Sequence, residues 1–213
     1  DADGDDLTYS IASISEIGNN NDAALMNINS VSGLLSFNTP PDYENPLDYN
    51  NGNNYLVRIT VSDGEYSHTI DTTVYVIDTD DEAPIFTSSS TFAVDENETA
   101  IGTVTASDVD SDTWTYYTTS SDISIDSSTG VMTFNSAPDY ETKTSYSAIV
   151  IADDGTNSSA QHIDVSINDL DDTGPTFTSN ALFDADENQT SIGTVTATDV
   201  DSDDSLISFS ISG

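Results

Sequence analysis

A shift of 91 residues lays the stretch from Asp78 to Asp112 onto the stretch from Asp169 to Asp203. Asp78, Asp80, Asp81, Pro84, Phe86, Asp95, Glu96, Asn97, Ile101, Gly102, Thr103, Val104, Asp108, Asp110 and Asp112 all meet identical residues under that shift. An internal repeat of this length turns one long chain into copies of a single module. The 213 residues then hold about two modules and fragments. Asp1 to Asp6, followed by the alternating Leu7, Tyr9 and Ile11, matches the sequence from Asp108 and from Asp199, so the chain is expected to begin inside a module. The predicted boundaries are 1–82 for a module without its first strands, 83–173 for a complete one, and 174–213 for the opening strands of a third.

Within each module the apolar residues alternate. Tyr55, Val57, Ile59 and Val61 fall on one face of a strand, and Tyr146, Ala148, Val150 and Ala152 repeat that face 91 residues on. Asp63-Gly64 and Asp154-Gly155 turn the chain into a last strand, where Val74 and Val76 are mirrored by Val165 and Ile167. Residues 25–37 around Ser32-Gly33, and the stretch from Ile125 to Phe134 around Thr129-Gly130, each predict a hairpin. An Asn-rich insertion from Asp48 to Asn54 belongs to the first module alone and predicts an exposed loop. No helical period appears. About seven short strands in roughly 90–105 residues predict an all-β chain of tandem Greek-key β-sandwiches with immunoglobulin-like architecture.

The charge narrows the partners. Against 39 acidic residues stand only Arg58 and Lys143, a net charge of −37, which excludes nucleic acid and all but excludes an anionic membrane surface. The recurring Tyr, Phe, Val and Ile runs argue against a disordered acidic tail, because they can bury apolar surface. No cysteine is present, so neither disulfides nor thiolate metal sites can staple the modules. The longest apolar run, Ala148 to Ala152, is too short to span a bilayer, and no signal-like segment follows Asp1; a soluble piece of a longer protein is expected.

The acids concentrate in loops at matching offsets. In such a sandwich the loops cluster at the poles, and a linker of about five residues holds neighbouring poles together. The Pro-Asp-Tyr-Glu turns at Pro41 and Pro138, the Asp-Glu-Asn turns at Asp95 and Asp186, the linkers and the Asp-x-Asp pairs of the next module should therefore converge. Oxygen ligands without His or Cys select a hard cation, and Ca²⁺ tolerates loop-borne carboxylates better than the strict octahedron of Mg²⁺. Two carboxylates about 4 Å apart repel by roughly 4 kcal/mol at an effective dielectric near 20, so several together rival a module's stability of about 5–15 kcal/mol. Such loops are expected to splay without a cation, and bound calcium would cross-link the modules.

These motifs, in register over the whole chain, resemble cadherin repeats in the form found in large bacterial surface proteins. The resemblance implies calcium bound between consecutive repeats. It assigns the family's basal Glu to Glu96 and Glu187, and its Asp-Arg-Glu motif to Asp42 with Glu44 and Asp139 with Glu141. The linker ligands fall on Asp78, Asp80, Asp81 and Glu82, and on Asp169, Asp171, Asp172 and Thr173. The Asp-x-Asp pairs are Asp1 with Asp3, Asp108 with Asp110, and Asp199 with Asp201; the late Asp is Asp63 or Asp154. Tyr43 and Tyr140 replace a motif Arg that is not a ligand. Asp80 and Asp171 stand where the family has Asn, and Glu82 and Thr173 replace a second Asn whose main-chain oxygen ligates, so affinity should be altered. Each internal junction is expected to be one ligand short within the chain.

Other readings fit less well. A merely salt-adapted surface would scatter acids over outward strand positions. An EF-hand beginning at Asp108 fails because Thr113 replaces its Gly, Thr119 its bidentate Glu, and no helices flank it. A glycosidase pair has no reason to recur in register, so no enzyme is expected. His68 and His162 are expected to stand apart from partners, and Trp114 to lie in or near the core. Asn97, Asn157 and Asn188 open Asn-x-Ser/Thr sequons. The functional expectation is a calcium-rigidified extracellular or cell-surface spacer. The alternative is a module that grips polysaccharide or another copy of itself. One copy's opening strands could also complete another's by strand addition, head to tail.

Overall fold

The computed structural model describes residues 4–18, 20–111, 113–201 and 206–212; Asp1, Asp3, Asp112 and Asp203 lie outside them. The chain divides into one compact unit ending at Asp81 and another beginning at Glu82. Among the described residues no helix is long and apolar enough to cross a membrane.

The first unit contains β1 (Thr8–Ala12), a 3-10 turn (Asp22–Leu25), β2 (Met26–Ile28), β3 (Leu35–Phe37), β4 (Asn54–Ser62) and β5 (Ser67–Tyr75). Strands β1, β4 and β5 form an antiparallel sheet, and β2 pairs with β3 as the predicted hairpin. Alternation along β4 buries Tyr55 and Val57 with Met26, and Phe37 meets Tyr55 edge-to-face at 5.0 Å. The predicted loop from Asp48 to Asn54 is not simply exposed. Asp48 is only 3% exposed, and its oxygens accept the backbone N–H groups of Gly52 and Asn53 at 3.1 and 3.2 Å. Asp22, fully buried, accepts those of Tyr49 and Leu56 at 2.8 Å each, so two inward carboxylates fold the insertion from beneath.

The second unit opens with β6 (Ile85–Phe86), β7 (Thr91–Asp95), β8 (Ala100–Thr103), β9 (Ala106–Ser107), β10 (Thr115–Thr118), β11 (Ile123–Ile125) and β12 (Val131–Phe134). The long β13 (Ser145–Asp153) and β14 (Ser158–Asn168) follow, and then β15 (Thr176–Phe177) and β16 (Ala197–Thr198). One sheet has the order β10-β13-β14-β7 and faces another of order β11-β12-β8. Their inward residues, among them Val94, Met132, Phe134, Val150, Ile163 and Val165, form one core. At the β11–β12 turn Gly130 has φ +70°, and a Cβ there would stand 2.3 Å from the Val104 carbonyl oxygen, so only glycine fits. Trp114 packs against this core, where it was expected, and its Nε1–H donates to the Tyr116 hydroxyl at 2.8 Å. His162 is exposed but not isolated: its Nδ1 lies 3.5 Å from Asp164 Oδ1.

The 91-residue repeat survives in detail. β6 pairs with β9 as β15 pairs with β16, at equivalent registers, and the hydroxyls of Thr87 and Thr105, and of Thr178 and Thr196, touch at 2.8 Å in both copies.

Candidate metal centre

The strands explain why the acids meet. β7 runs parallel to β14 with Asp95 opposite Asn168, so both strands end at the same pole. Ser145, at the start of β13, pairs with Ser166 and brings the turn from Pro138 to Glu141 to that pole as well. From the end of β7 the chain turns through Glu96 and Asn97; from the end of β14 it enters the linker from Asp169 to Thr173.

Glu96 is 1% exposed. Its Oε2 accepts the Tyr140 N–H and its Oε1 the Leu170 N–H, each at 2.8 Å, so one carboxylate joins the Asp-Tyr-Glu turn to the linker. Asn97, with φ +66°, donates its backbone N–H to Pro138 O at 2.9 Å and its side-chain Nδ2–H to Asp172 Oδ2 at 2.5 Å. The linker in turn reaches the next Asp-x-Asp pair. Asp201 Oδ2 accepts the N–H of Asp172 at 2.9 Å and that of Thr173. The earlier copy makes the equivalent bond, with Glu82 N–H donating to Asp110 Oδ2 at 2.8 Å.

Around this frame lie three carboxylate triads: Glu96, Glu141 and Asp169; Glu141, Asp172 and Asp201; and Asp171, Asp199 and Asp201. Within each, one oxygen per residue lies within 4.8 Å of the others. Glu141 and Asp201 are each shared by two triads, so the three form a chain. Thr173 adjoins it through its hydroxyl, 3.2 Å from Asp172 Oδ1. In the first unit an oxygen of Glu44 and one of Asp78 likewise approach within 4.8 Å.

Several of the predicted ligands shape loops. Asp42 accepts the N–H groups of Glu44 and Asn45, and Asp139 accepts the backbone N–H and the hydroxyl O–H of Thr142, so each Asp fixes the turn that presents its motif Glu. Asp108 Oδ1 accepts the N–H of Asp110, and Asp199 Oδ1 that of Asp201. Asp63 and Asp154 close the turns into β5 and β14 by accepting two backbone N–H groups each. Asp80 is half-buried, and Asp81 and Glu187 are exposed; none of the three, and neither Asp42, Asp63 nor Asp139, belongs to a triad among the described residues. Reading from sequence passed over Asn97 as a sequon and Asp22 altogether. For Asn97 its identity with Asn188 under the repeat shift was the available signal.

The titrations follow this crowding. A hydrogen bond from its own backbone N–H pulls the Glu141 carboxyl down, but desolvation and the charges of Glu96 and Asp201 push it up to about 7. Desolvation, then the Asp201, Glu96, Asp172 and Asp171 charges, raise Asp169 above the ordinary carboxylate range. Asp201 is held below it by the Thr173 and Asp172 N–H groups, and Asp154 by that of Asn157.

The donor set suits a hard cation. Asp108 Oδ2, Asp154 Oδ2 and Asp201 Oδ1 are buried and receive no N–H donor; the Asp108 carboxyl faces that of Asp154, and the Asp201 carboxyl that of Glu141. Either a proton shared within such a pair or a bound cation satisfies these oxygens, and a cation satisfies several of them at once. All the ligands are oxygens on loops, which fits Ca²⁺. Glu96, Glu141, Asp169, Asp171, Asp172, Asp199 and Asp201 would hold it, and Asp108 with Asp154 would supply oxygens elsewhere in the second unit.

No family model matches the chain. It is 31% identical over 173 residues to human Cadherin EGF LAG seven-pass G-type receptor 1, covering 74% of the chain and 6% of the receptor. To the mouse receptor 2 it is 32% identical over 212 residues, covering 92% of the chain and 7% of the receptor. It is 33% identical over 162 residues to mouse Protocadherin Fat 2, covering 69% of the chain and 4% of that protein. The chain thus spans a small fraction of each relative. Among solved structures, repeats EC22-24 of mouse Cadherin-23 superpose with a TM-score of 0.70 at 24% identity, over 93% of this chain and 66% of that one. Protocadherin gammaB7 EC3-6 gives 0.65 at 24% identity, over 93% and 53%. In fold and in sequence the chain is built of cadherin-like repeats in tandem.

Proposed function

We propose that the chain is a calcium-stiffened spacer in the extracellular part of a larger adhesion protein. Its repeats are 1–82, 83–173 and 174–213, with calcium held where one meets the next. The observation that carries this reading is the linked set of triads sharing Glu141 and Asp201, which under these boundaries come from successive repeats. A cation bound to both resists bending at the linker, and stiffness follows from replacing mutual carboxylate repulsion with shared ligation.

A polysaccharide-binding reading finds less support. A groove of about 750 Å³, lined by Lys143, Tyr146 and several Ser and Thr residues, offers Tyr146 as its aromatic. That ring is engaged by Phe134 at 4.8 Å and by Lys143 Nζ at 3.9 Å, which leaves little face for a sugar to stack on.

Small-angle X-ray scattering in millimolar calcium and again in chelator tests the proposal. The expected outcome is a longer, stiffer particle in calcium that becomes shorter on average and more flexible in chelator. Identical profiles would refute it. A rise in mass would add contact between copies, by strand addition or homophilic pairing, to the spacer role.

A further inference from the structure

We propose that Asn97 is a positioning residue of the junction, which sets Asp172 for the cation through a neutral hydrogen bond; this rests on the calcium reading above. Asp172 Oδ2 receives the Asn97 amide at 2.5 Å and Asp172 Oδ1 the Thr173 hydroxyl at 3.2 Å. A carboxylate accepts about four hydrogen bonds, so Asp172 keeps capacity at the oxygen it brings within 4.8 Å of Glu141 and Asp201. The amide is therefore an orienting group beside the cation site.

The residue type is suited to this in three respects. The turn places position 97 at φ +66°, which Asn tolerates better than other side-chain-bearing residues. The backbone N–H of the same residue is fixed to Pro138 O at 2.9 Å, so the side chain springs from an anchored point. Finally, a neutral donor orients a carboxylate without competing for it. Lys or Arg at position 97 would bring its own positive charge to the site a cation should fill, and Asp would repel Asp172. Glu96 and Asn97 together tie the Asp-Tyr-Glu turn and the linker by bonds among protein groups alone. Asp201 adds the Asp-x-Asp loop through the N–H groups of Asp172 and Thr173, and the cation's part is to offset the charge these carboxylates gather.

The test compares Asn97→Gly with Asn188→Gly in the full chain. Asn188 has φ +68° in the equivalent turn, and glycine accepts that conformation in both variants, so only the side-chain amide is lost. Calcium affinity by calorimetry is expected to fall about tenfold in Asn97→Gly, the lower end for loss of a group that orients a metal ligand. Asn188→Gly should stay within twofold of the parent. An unchanged affinity in Asn97→Gly would overturn the assignment. Should the parent itself take up no calcium, the spacer reading fails, and hydrogen exchange in chelator decides the position of Asn97. Faster exchange at Leu170 to Thr173 in Asn97→Gly alone supports the clamp, and equal exchange removes it.

Discussion

Leu170 donates its backbone N–H across 74 positions of chain, at 2.8 Å, to the buried carboxylate of Glu96. The bond makes the linker part of the repeat it leaves. Glu96→Ala would orphan this N–H and that of Tyr140, at about 1–3 kcal/mol each for unsatisfied donors. A loss of about 2–5 kcal/mol is expected in urea denaturation with chelator present, followed through Trp114, the single tryptophan. A loss below about 1 kcal/mol would mean that water replaces the carboxylate.

Asp108 and Asp154 pose the opposite case. Their carboxyls face each other over oxygens that no N–H reaches, so Asp154→Asn should remove one of the two acids and supply an N–H toward Asp108 Oδ2. The melting temperature in chelator is expected to rise, while calcium affinity at that site falls at least tenfold. The two effects have opposite signs, and a simple packing defect would lower both.

Acidity should act through Glu141. Its carboxyl, pushed up to about 7, holds a proton at mildly acidic pH that a cation must displace. Calcium affinity is therefore expected to fall as pH drops from about 8 to about 6, by up to roughly tenfold per displaced proton per pH unit. Calorimetry in two buffers of different ionisation enthalpy should show proton release on binding near pH 6 and less near pH 8. The sign also applies to folding without the ion. A carboxyl whose pKa is higher folded than unfolded takes up protons on folding, so stability falls as pH rises from the ordinary Glu value through about 7.

The repeat, the hairpins and the gathering of Glu141, Asp172 and Asp201 were legible because each left a pattern: a fixed shift, a two-residue alternation, an offset kept between copies. Acid–acid repulsion alone suggested splayed loops. It omitted the backbone N–H groups of Tyr140, Leu170, Asp172 and Thr173, which the carboxylates of Glu96 and Asp201 satisfy. Asp22 and Asp48 left no pattern, since one Asp among 39 acidic residues carries no information about which will face inward. Their direction is set by the loop above them.

That loop gives the last test. Asp22 is fully buried and accepts two backbone N–H groups at 2.8 Å, whereas Asp48, at 3% exposure, holds Gly52 and Asn53 in the exposed part of the insertion. Water can take over from Asp48 once the loop loosens, so Asp48→Ala should cost about 1 kcal/mol and act locally. No water reaches Asp22, and Asp22→Ala strands two donors where the insertion meets the start of β4, for an expected loss of about 3 kcal/mol. Hydrogen exchange should show protection lost at Gly52 and Asn53 alone in the first variant. In the second, protection should also be lost at Tyr49 and Leu56. Denaturation followed by circular dichroism ranks the pair, and a larger loss for Asp48→Ala would mean that the insertion is held from its tip.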